Sequence, residues 1–278
     1  MRLNHPAFKY FRVDRPGTPH LWCPGCGIGQ VWYYTAKAIE ELELDTNKVL
    51  WVGGSGCTGR MCTYWYKDYF HTLHGRPLAF ATGVKLARPE LTVICHMGDG
   101  EAAAIGGNHL IQTARRNVEL VAICVNNFNY GMTGGQFSPT TPRGAITSTS
   151  LFGNVEGAFD LCRLVEACGA SYVTRWTTVH VRQTIESLKK GIRKNGFSFI
   201  EVVSQCPTFY GRRNRIGDAV EMMKQFRNYS VTRDRAEKMS EDELKDKIVV
   251  GDLVDRENVG FCASLHDVAR KLSGDSRD

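Results

Sequence analysis

Long apolar runs are missing from this sequence of 278 residues. No stretch approaches the roughly 18 uninterrupted apolar residues of a helical membrane span, and Met1 to Arg15 mixes charges and proline without the apolar centre of an export signal. No membrane contact and a cytoplasmic location are therefore expected. Proline is scarce, 9 residues against 28 glycines, and neither recurs with a period, which excludes collagen-like and low-complexity chains. Internal repeats are absent. The chain also lacks a strong charge of one sign: the formal net charge is +6, with 24 Lys/Arg against 15 Asp/Glu before Asp218 and 11 against 14 from there on. Neither a Lys/Arg–aromatic array nor a helix-turn-helix pattern accompanies the basic part, so nucleic acid is not an expected partner. The excess suits an acidic protein or anionic substrates.

What is present is 42% hydrophobic residues, enough for a sizeable core in one large α/β domain, and ten cysteines. Without an export signal those cysteines do not read as disulfides, because a reducing compartment keeps thiols free. They serve the core, a metal or catalysis. Cys95, Cys124, Cys162 and Cys168 sit in apolar runs such as LTVICHM and VELVAICV, where a small buried hydrophobe is the expected role. Cys62 and Cys262 carry no motif and are expected to be structural.

Strand and helix patterns alternate along the chain. Ile28 to Leu44 has helical spacing, VLWVGGS reads as a buried strand, LTVICHMGDG as a second, EAAAIGGNHLIQTARR as a helix and VELVAICVNN as a third strand. VEGAFDLCRLVEACG is predicted helical, ASYVTRW extended, TTVHVRQTIESLKKGIRKNG helical and FSFIEVVS a final strand. Continuous rather than alternating apolar strands imply burial on both faces, hence a mostly parallel sheet with helices above and below. Residues 1–217 form this unit, and 218–278 read as a peripheral C-terminal extension. Ligands gather at the carboxyl ends of such strands, where GGSGCTGR, MGDGE and NNFNYGMTGG lie. Gly131 to Phe152 is too rich in Gly, Pro, Ser and Thr to be an element and reads as an active-site loop.

Gly98-Asp99-Gly100 closes one strand and Asn127 the next. Adjacent parallel strands bring their side chains together, offering a hard divalent ion such as Mg²⁺ a carboxylate and an amide oxygen. The flanking glycines let a diphosphate approach the backbone, and the helix opening at Glu101 offers it N–H groups. Trp22-Cys23-Pro24-Gly25-Cys26-Gly27 is a C-x-x-C. A second C-x-x-C or His pair for zinc is missing, and a redox dithiol belongs in a smaller fold. Cys57 in GGSGCTGR and Cys206 in SQCPTFYG stand in similarly tight contexts. Four such thiolates suit an iron–sulfur cluster.

The series W-C-P-G-C-G (Trp22 to Gly27), G-S-G-C-T-G-R (Gly54 to Arg60), H-T-L-H-G-R (His71 to Arg76), A-T-G (Ala81 to Gly83), G-D-G-E (Gly98 to Glu101), N-N-F-N-Y-G-M-T-G-G-Q-F-S-P-T-T-P (Asn126 to Pro142) and C-P-T-F-Y-G-R-R-N (Cys206 to Asn214) closely resembles the β subunit of 2-oxoacid:ferredoxin oxidoreductases. The resemblance spans residues 18 to 217 and is strongest to the 2-oxoglutarate branch. It implies a thiamine diphosphate (TPP)-binding domain of the PP type. The family converts a 2-oxoacid and coenzyme A into acyl-CoA and CO₂ and passes two electrons through 4Fe-4S clusters to ferredoxin.

Carried onto this chain, the resemblance implies that Cys23, Cys26, Cys57 and Cys206 ligate one 4Fe-4S cluster. It implies that Asp99, Asn127 and the backbone carbonyl of Asn129 bind Mg²⁺. It places Ser55, Gly56, Cys57, Thr58, His74, Gly100, Glu101, Gly131 and Met132 around TPP. Arg60 stands where relatives face the substrate's far end, so its guanidinium is expected to pair with the distal carboxylate of 2-oxoglutarate. Arg212, Arg213 and Arg215 are expected to form part of a docking face for ferredoxin. The glutamate that protonates the cofactor and the CoA site belong to the family's α subunit, so this chain is expected to act only in a hetero-oligomer. Ile28 replaces the His that many relatives carry after C-x-x-C-G. Other readings are a β subunit for pyruvate, branched-chain or aryl 2-oxoacids, a nonoxidative TPP-dependent decarboxylase subunit, and a basic zinc module.

Overall fold

The computed structural model describes residues 9–12 and 20–273. Eight strands form one sheet: β1 (Val49–Gly53), β2 (Tyr69–His71), β3 (Thr92–Gly98), β4 (Val121–Asn126), β5 (Tyr172–Thr177), β6 (Ser198–Val203), β7 (Ser230–Thr232) and β8 (Ile248–Asp255). Their order is β2-β1-β3-β4-β6-β5-β8-β7, and each neighbouring pair is parallel except β5 with β8. The helices are α1 (Ile28–Glu41), the single turn α2 (Gly56–Gly59), α3 (Pro77–Ala87), α4 (Asp99–Ala103), α5 (Gly107–Arg116), α6 (Leu161–Ala167), α7 (Val181–Arg193) and α8 (Ala219–Tyr229), with a last helix over Phe261–Ser273 and shorter turns between.

Burial on both sides of the sheet follows from the unbroken apolar strands. Every residue of β4 and β6 is buried. Ile94, Ile123 and Ile200 join one core with Trp32 of α1 and Leu188 of α7. Their neighbours Cys95, Cys124 and Phe199 join a second core with Leu110 of α5 and Leu161 of α6. The expected doubly covered parallel sheet is therefore present. Cys95, Cys124 and Cys162 are buried, as are Cys62 and Cys262, whereas Cys168 is half-buried.

Three local expectations need correction. The helix expected over Glu101 to Arg116 is two helices, because Gly106 turns the chain where a Cβ would come within 2.3 Å of the Glu101 carbonyl oxygen. The helix expected from Val155 starts only at Leu161, where Asp160 caps it by accepting from the N–H groups of Cys162 and Arg163 at 3.1 and 3.2 Å. The residues beyond 218 join the sheet: Tyr172 to Arg175 pair with Gly251 to Asp255, and Val250 and Val254 are buried. The apolar run in IVVGDLV is a sheet strand, which propensity alone does not distinguish from a peripheral segment. No helix among the described residues is long and apolar enough to cross a membrane.

Candidate functional site

The carboxyl ends of β1, β3 and β4 open into a cavity of about 590 Å³. Its wall contains Ser55, Gly56, Cys57 and Thr58 from the turn after β1, His74, then Gly98 to Glu101 after β3. Ile105, Asn127 and the run Asn129 to Thr133 complete it. Every residue expected around the cofactor or the divalent ion thus lies on one wall. The volume is that of a pocket for a small molecule or cofactor.

At the cavity's floor Asp99 is 1% exposed. Its Oδ1 accepts from the Asn127 backbone N–H at 3.3 Å. Its Oδ2 accepts from Ser138 Oγ at 2.5 Å and Thr140 Oγ1 at 2.6 Å. Burial pushes the Asp99 carboxyl's pKa up, and the two hydroxyls oppose that shift. The tip of the Asn127 amide lies 3.1 Å from Asp99 Oδ1 and 2.8 Å from the Asn129 carbonyl oxygen. With nitrogen at the tip, the amide donates to both. With oxygen there, it would stand beside both the Asp99 carboxylate and the Asn129 carbonyl oxygen, an arrangement that a bound cation would favour. Their spacing matches the edge of an octahedron with metal–oxygen bonds of about 2.1 Å, the geometry Mg²⁺ demands. Between the two asparagines Phe128 has a left-handed φ of 62°, uncommon for a bulky residue, and this bend turns the Asn129 carbonyl back toward Asn127. The donor set therefore fits a divalent ion. The helix expected to open at Glu101 opens instead at Asp99, as the five-residue α4.

Glu101 is 2% exposed and clasps two loops. Its Oε1 accepts from the N–H groups of Ser55 and Gly75 at 3.1 and 3.0 Å, while Oε2 has no protein partner. Burial raises its pKa to about 7. His74 Nδ1 stands 3.1 Å from Ser55 Oγ and 3.7 Å from Glu101 Oε1. The ring of Tyr130 lies over Gly100, whose added Cβ would meet it at 2.5 Å, and the phenol donates to the Gly100 carbonyl at 3.0 Å.

The four proposed cluster cysteines come from three loops that touch. Trp22 Nε1 donates to the Cys57 carbonyl oxygen at 2.8 Å, and the Gly27 N–H donates to the Gln205 carbonyl at 3.2 Å. Burial pushes the Cys26 thiol up to about 12, with Cys206, Cys57 and Cys23 adding to it. Burial likewise pushes Cys57 up to about 11, with Cys206 and Cys23 adding. Thiols this close in a low dielectric resist becoming thiolates by themselves, and a metal centre that takes them as thiolates relieves that cost. Among the described residues no three His, Cys, Asp or Glu side chains converge tightly enough for a single metal ion. A four-iron cluster needs its ligands spread further apart than one ion does. Cys57 also lies on the cavity wall, where an added Cβ on Gly131 would stand 3.4 Å from its sulfur.

Arg60 follows α2 and is half-buried, but it is not part of the cavity wall. After burial, its charge is the next influence lowering the pKa of His71. Arg212 and Arg215 are exposed and Arg213 is half-buried. Sequence reasoning assigned no role to Ser138 or Thr140, although S-P-T-T-P placed hydroxyls in the predicted active-site loop.

Residues 52–202 match the family model described as thiamine pyrophosphate enzyme, C-terminal TPP binding domain. The 2-oxoglutarate synthase subunit KorB of Methanocaldococcus jannaschii is 51% identical over 271 residues, covering 98% of this chain and 100% of the relative. The subunit of the same name from Methanothermobacter thermautotrophicus is 47% identical over 277 residues, 100% of this chain and 96% of the relative. The solved 2-oxoglutarate:ferredoxin oxidoreductase from Magnetococcus marinus, with 2-oxoglutarate, coenzyme A and succinyl-CoA bound, matches with a TM-score of 0.83 at 28% identity. That match covers 98% of this chain and 92% of the other.

Proposed function

This chain belongs to the β-subunit family of 2-oxoacid:ferredoxin oxidoreductases, in its 2-oxoglutarate branch, and from that premise we propose that it forms the TPP- and electron-handling half of an enzyme that decarboxylates 2-oxoglutarate oxidatively. The products are succinyl-CoA, CO₂ and reduced ferredoxin. The observation that carries this reading is the shared wall: Asp99, Asn127, Asn129 and Cys57 line one cavity.

In this reading Asp99, Asn127 and the Asn129 carbonyl would hold Mg²⁺, whose charge would favour the cofactor's diphosphate. Gly98 and Gly100 leave the backbone open to it. TPP, when bound, supplies the nucleophilic carbon and the electron sink that decarboxylation of a 2-oxoacid requires. Cys23, Cys26, Cys57 and Cys206 would hold a 4Fe-4S cluster that supplies one-electron acceptance, and Trp22 and Gln205 keep their loops in register. Ser55, Gly56, Thr58, His74, Glu101, Gly131 and Met132 shape the wall and exclude water. Arg60 remains the proposed partner of the distal carboxylate. Arg212, Arg213 and Arg215 are proposed to meet acidic ferredoxin. The α subunit supplies the CoA site and closes the cavity.

The test is anaerobic reconstitution with the α subunit, followed by iron and acid-labile sulfide analysis and by substrate profiling with a viologen acceptor. Iron, sulfide and CoA-dependent dye reduction with 2-oxoglutarate are expected. TPP-dependent CO₂ release without iron would make the subunit nonoxidative, and a preference for pyruvate or branched-chain substrates would move it to another branch. Arg60→Ala is expected to lower the preference for 2-oxoglutarate over pyruvate; an unchanged ratio removes Arg60 from the substrate site.

A further inference from the structure

Asp99 shows its two carboxylate oxygens to different neighbours. Oδ1 faces Asn127, by the backbone N–H at 3.3 Å and the amide tip at 3.1 Å. Oδ2 faces Ser138 Oγ at 2.5 Å and Thr140 Oγ1 at 2.6 Å. Ser138 is 1% exposed and Thr140 3%, so water does not compete for either contact. Each hydroxyl has one proton. The other acceptors within reach are neutral and more distant: the two hydroxyl oxygens stand 3.0 Å from each other, Asn126 Oδ1 is 3.1 Å from Thr140 and Thr141 Oγ1 is 3.4 Å from Ser138. Both protons therefore go to the charged carboxylate.

The same segment reaches the other side of the site. Thr141 Oγ1 accepts from the Ser138 N–H at 2.8 Å and donates to the Phe128 carbonyl oxygen at 2.7 Å. Phe128 is the left-handed residue between Asn127 and Asn129. Asn154 Nδ2 holds the Thr141 carbonyl at 2.8 Å and anchors the segment to the rest of the loop.

We propose that Ser138, Thr140 and Thr141 are positioning residues that set the cation preference of the site: the first two restrain Asp99 Oδ2 so that Oδ1 alone is offered to the metal, and the third fixes the Asn127–Asn129 turn. This inference rests on the reading of Asp99, Asn127 and Asn129 as the divalent-ion ligands. A one-oxygen carboxylate suits the six-coordinate, rigid geometry of Mg²⁺. A carboxylate free to swing serves Ca²⁺, which takes two oxygens from one group and tolerates six to eight ligands. Partners of this kind outside the ligand set commonly change metal affinity by about 10–100-fold when removed.

The experiment is a titration of the apo αβ complex with TPP present, followed by intrinsic fluorescence and calorimetry, using Mg²⁺ and Ca²⁺ separately. Thr140→Val, which keeps the shape and loses the hydroxyl, is expected to weaken Mg²⁺ by about 10-fold or more and Ca²⁺ by less, lowering the Mg²⁺/Ca²⁺ preference. Ser138→Ala is expected to act in the same direction. Thr140→Ser, which keeps the hydroxyl, is expected to stay near wild type. An unchanged preference in Thr140→Val overturns the proposal. So does an equal loss for both ions accompanied by a lower melting temperature, which marks a merely structural role, and so does a Thr140→Ser as poor as Thr140→Val. If wild type itself shows no TPP-linked Mg²⁺ binding, the ligand reading of Asp99 fails first and the positioning claim falls with it.

Discussion

Trp22 and Cys57, separated by 35 positions in the chain, are joined by a 2.8 Å hydrogen bond from the indole N–H to the cysteine carbonyl oxygen. Through it the C-x-x-C loop is tied to the turn after β1. A neutral bond of this kind contributes about 0.5–1.5 kcal/mol, small against the whole fold but applied at the loop that carries Cys57. Trp22→Phe keeps the aromatic contact with Tyr64, at 4.9 Å between ring centres, and deletes the donor. The expected result is a reconstituted complex whose iron–sulfur absorbance bleaches faster in air. Equal bleaching rates in the two proteins would show that the bond does not restrain the cysteine.

Gly54 is required by a close approach. An added Cβ would stand 1.6 Å from Glu101 Oε1, and the neighbour is a buried carboxylate that already holds Ser55 and Gly75. Gly54→Ala must therefore push Glu101 off both N–H groups and open the cavity wall. Loss of at least about 10-fold in TPP affinity is expected, in line with about 1–3 kcal/mol for stranding a buried polar group. Gly83→Ala is the control: nothing lies within 4 Å of its added Cβ, and it sits inside α3. That change should leave TPP binding intact and raise stability by about 0.5–1 kcal/mol. Unaltered TPP titration by Gly54→Ala would exclude Glu101 as a wall-former.

Features carried by a few adjacent residues were legible before any coordinates. G-D-G at one strand end and N-N at the next, the C-x-x-C, and the unbroken apolar strands each state their own local geometry. What escaped depends on distant partners. Nothing near Ile248 to Asp255 says that β5 awaits an antiparallel neighbour. The break between α4 and α5 is set by the tight Gly106–Glu101 turn, which Gly75 from a remote loop also crowds. Ser138 and Thr140 reach Asp99 across 39 and 41 positions, so their hydroxyls looked like ordinary loop composition. Arg60 was expected near substrate from the resemblance alone, and the structure places it after α2, outside the cavity wall.

Beneath the site lies a buried ion network. Arg175, with 14% of its side chain exposed, pairs through Nε with Glu201 Oε2 and through Nη2 with Asp160 Oδ1, both at 2.5 Å. Glu201 also accepts from Asn126 Nδ2 at 2.8 Å, at the end of the strand that leads to the proposed metal ligands. Removing one partner of a buried pair strands the other charge, at a cost of about 3–5 kcal/mol. Arg175→Ala should lower the urea midpoint accordingly. Arg175→Met combined with Glu201→Gln should recover part of the loss by removing the stranded charge. A double variant no better than Arg175→Ala would place the cost in packing instead.

His96 is fully buried, with its ring 4.4 Å from that of Trp51 and only the Val52 backbone opposing the effect of burial on its charge. Burial lowers its pKa from 6.5 to about 3, so the folded chain keeps it neutral. Above pH 6.5 both folded and unfolded forms are neutral and His96 makes stability independent of pH. As pH falls through 6.5 the unfolded chain takes a proton that the folded chain refuses. Unfolding then becomes easier by about 1.4 kcal/mol per pH unit, and the effect levels off only near the folded value of about 3. His96→Leu removes the titrating ring while keeping an apolar side chain against Trp51. Urea titrations at about pH 7.5 and about pH 5.5 should show wild type losing about 1.4 kcal/mol more than the variant across that interval. Equal losses would mean that His96 becomes protonated inside the fold, which requires water or a partner beside its ring nitrogens.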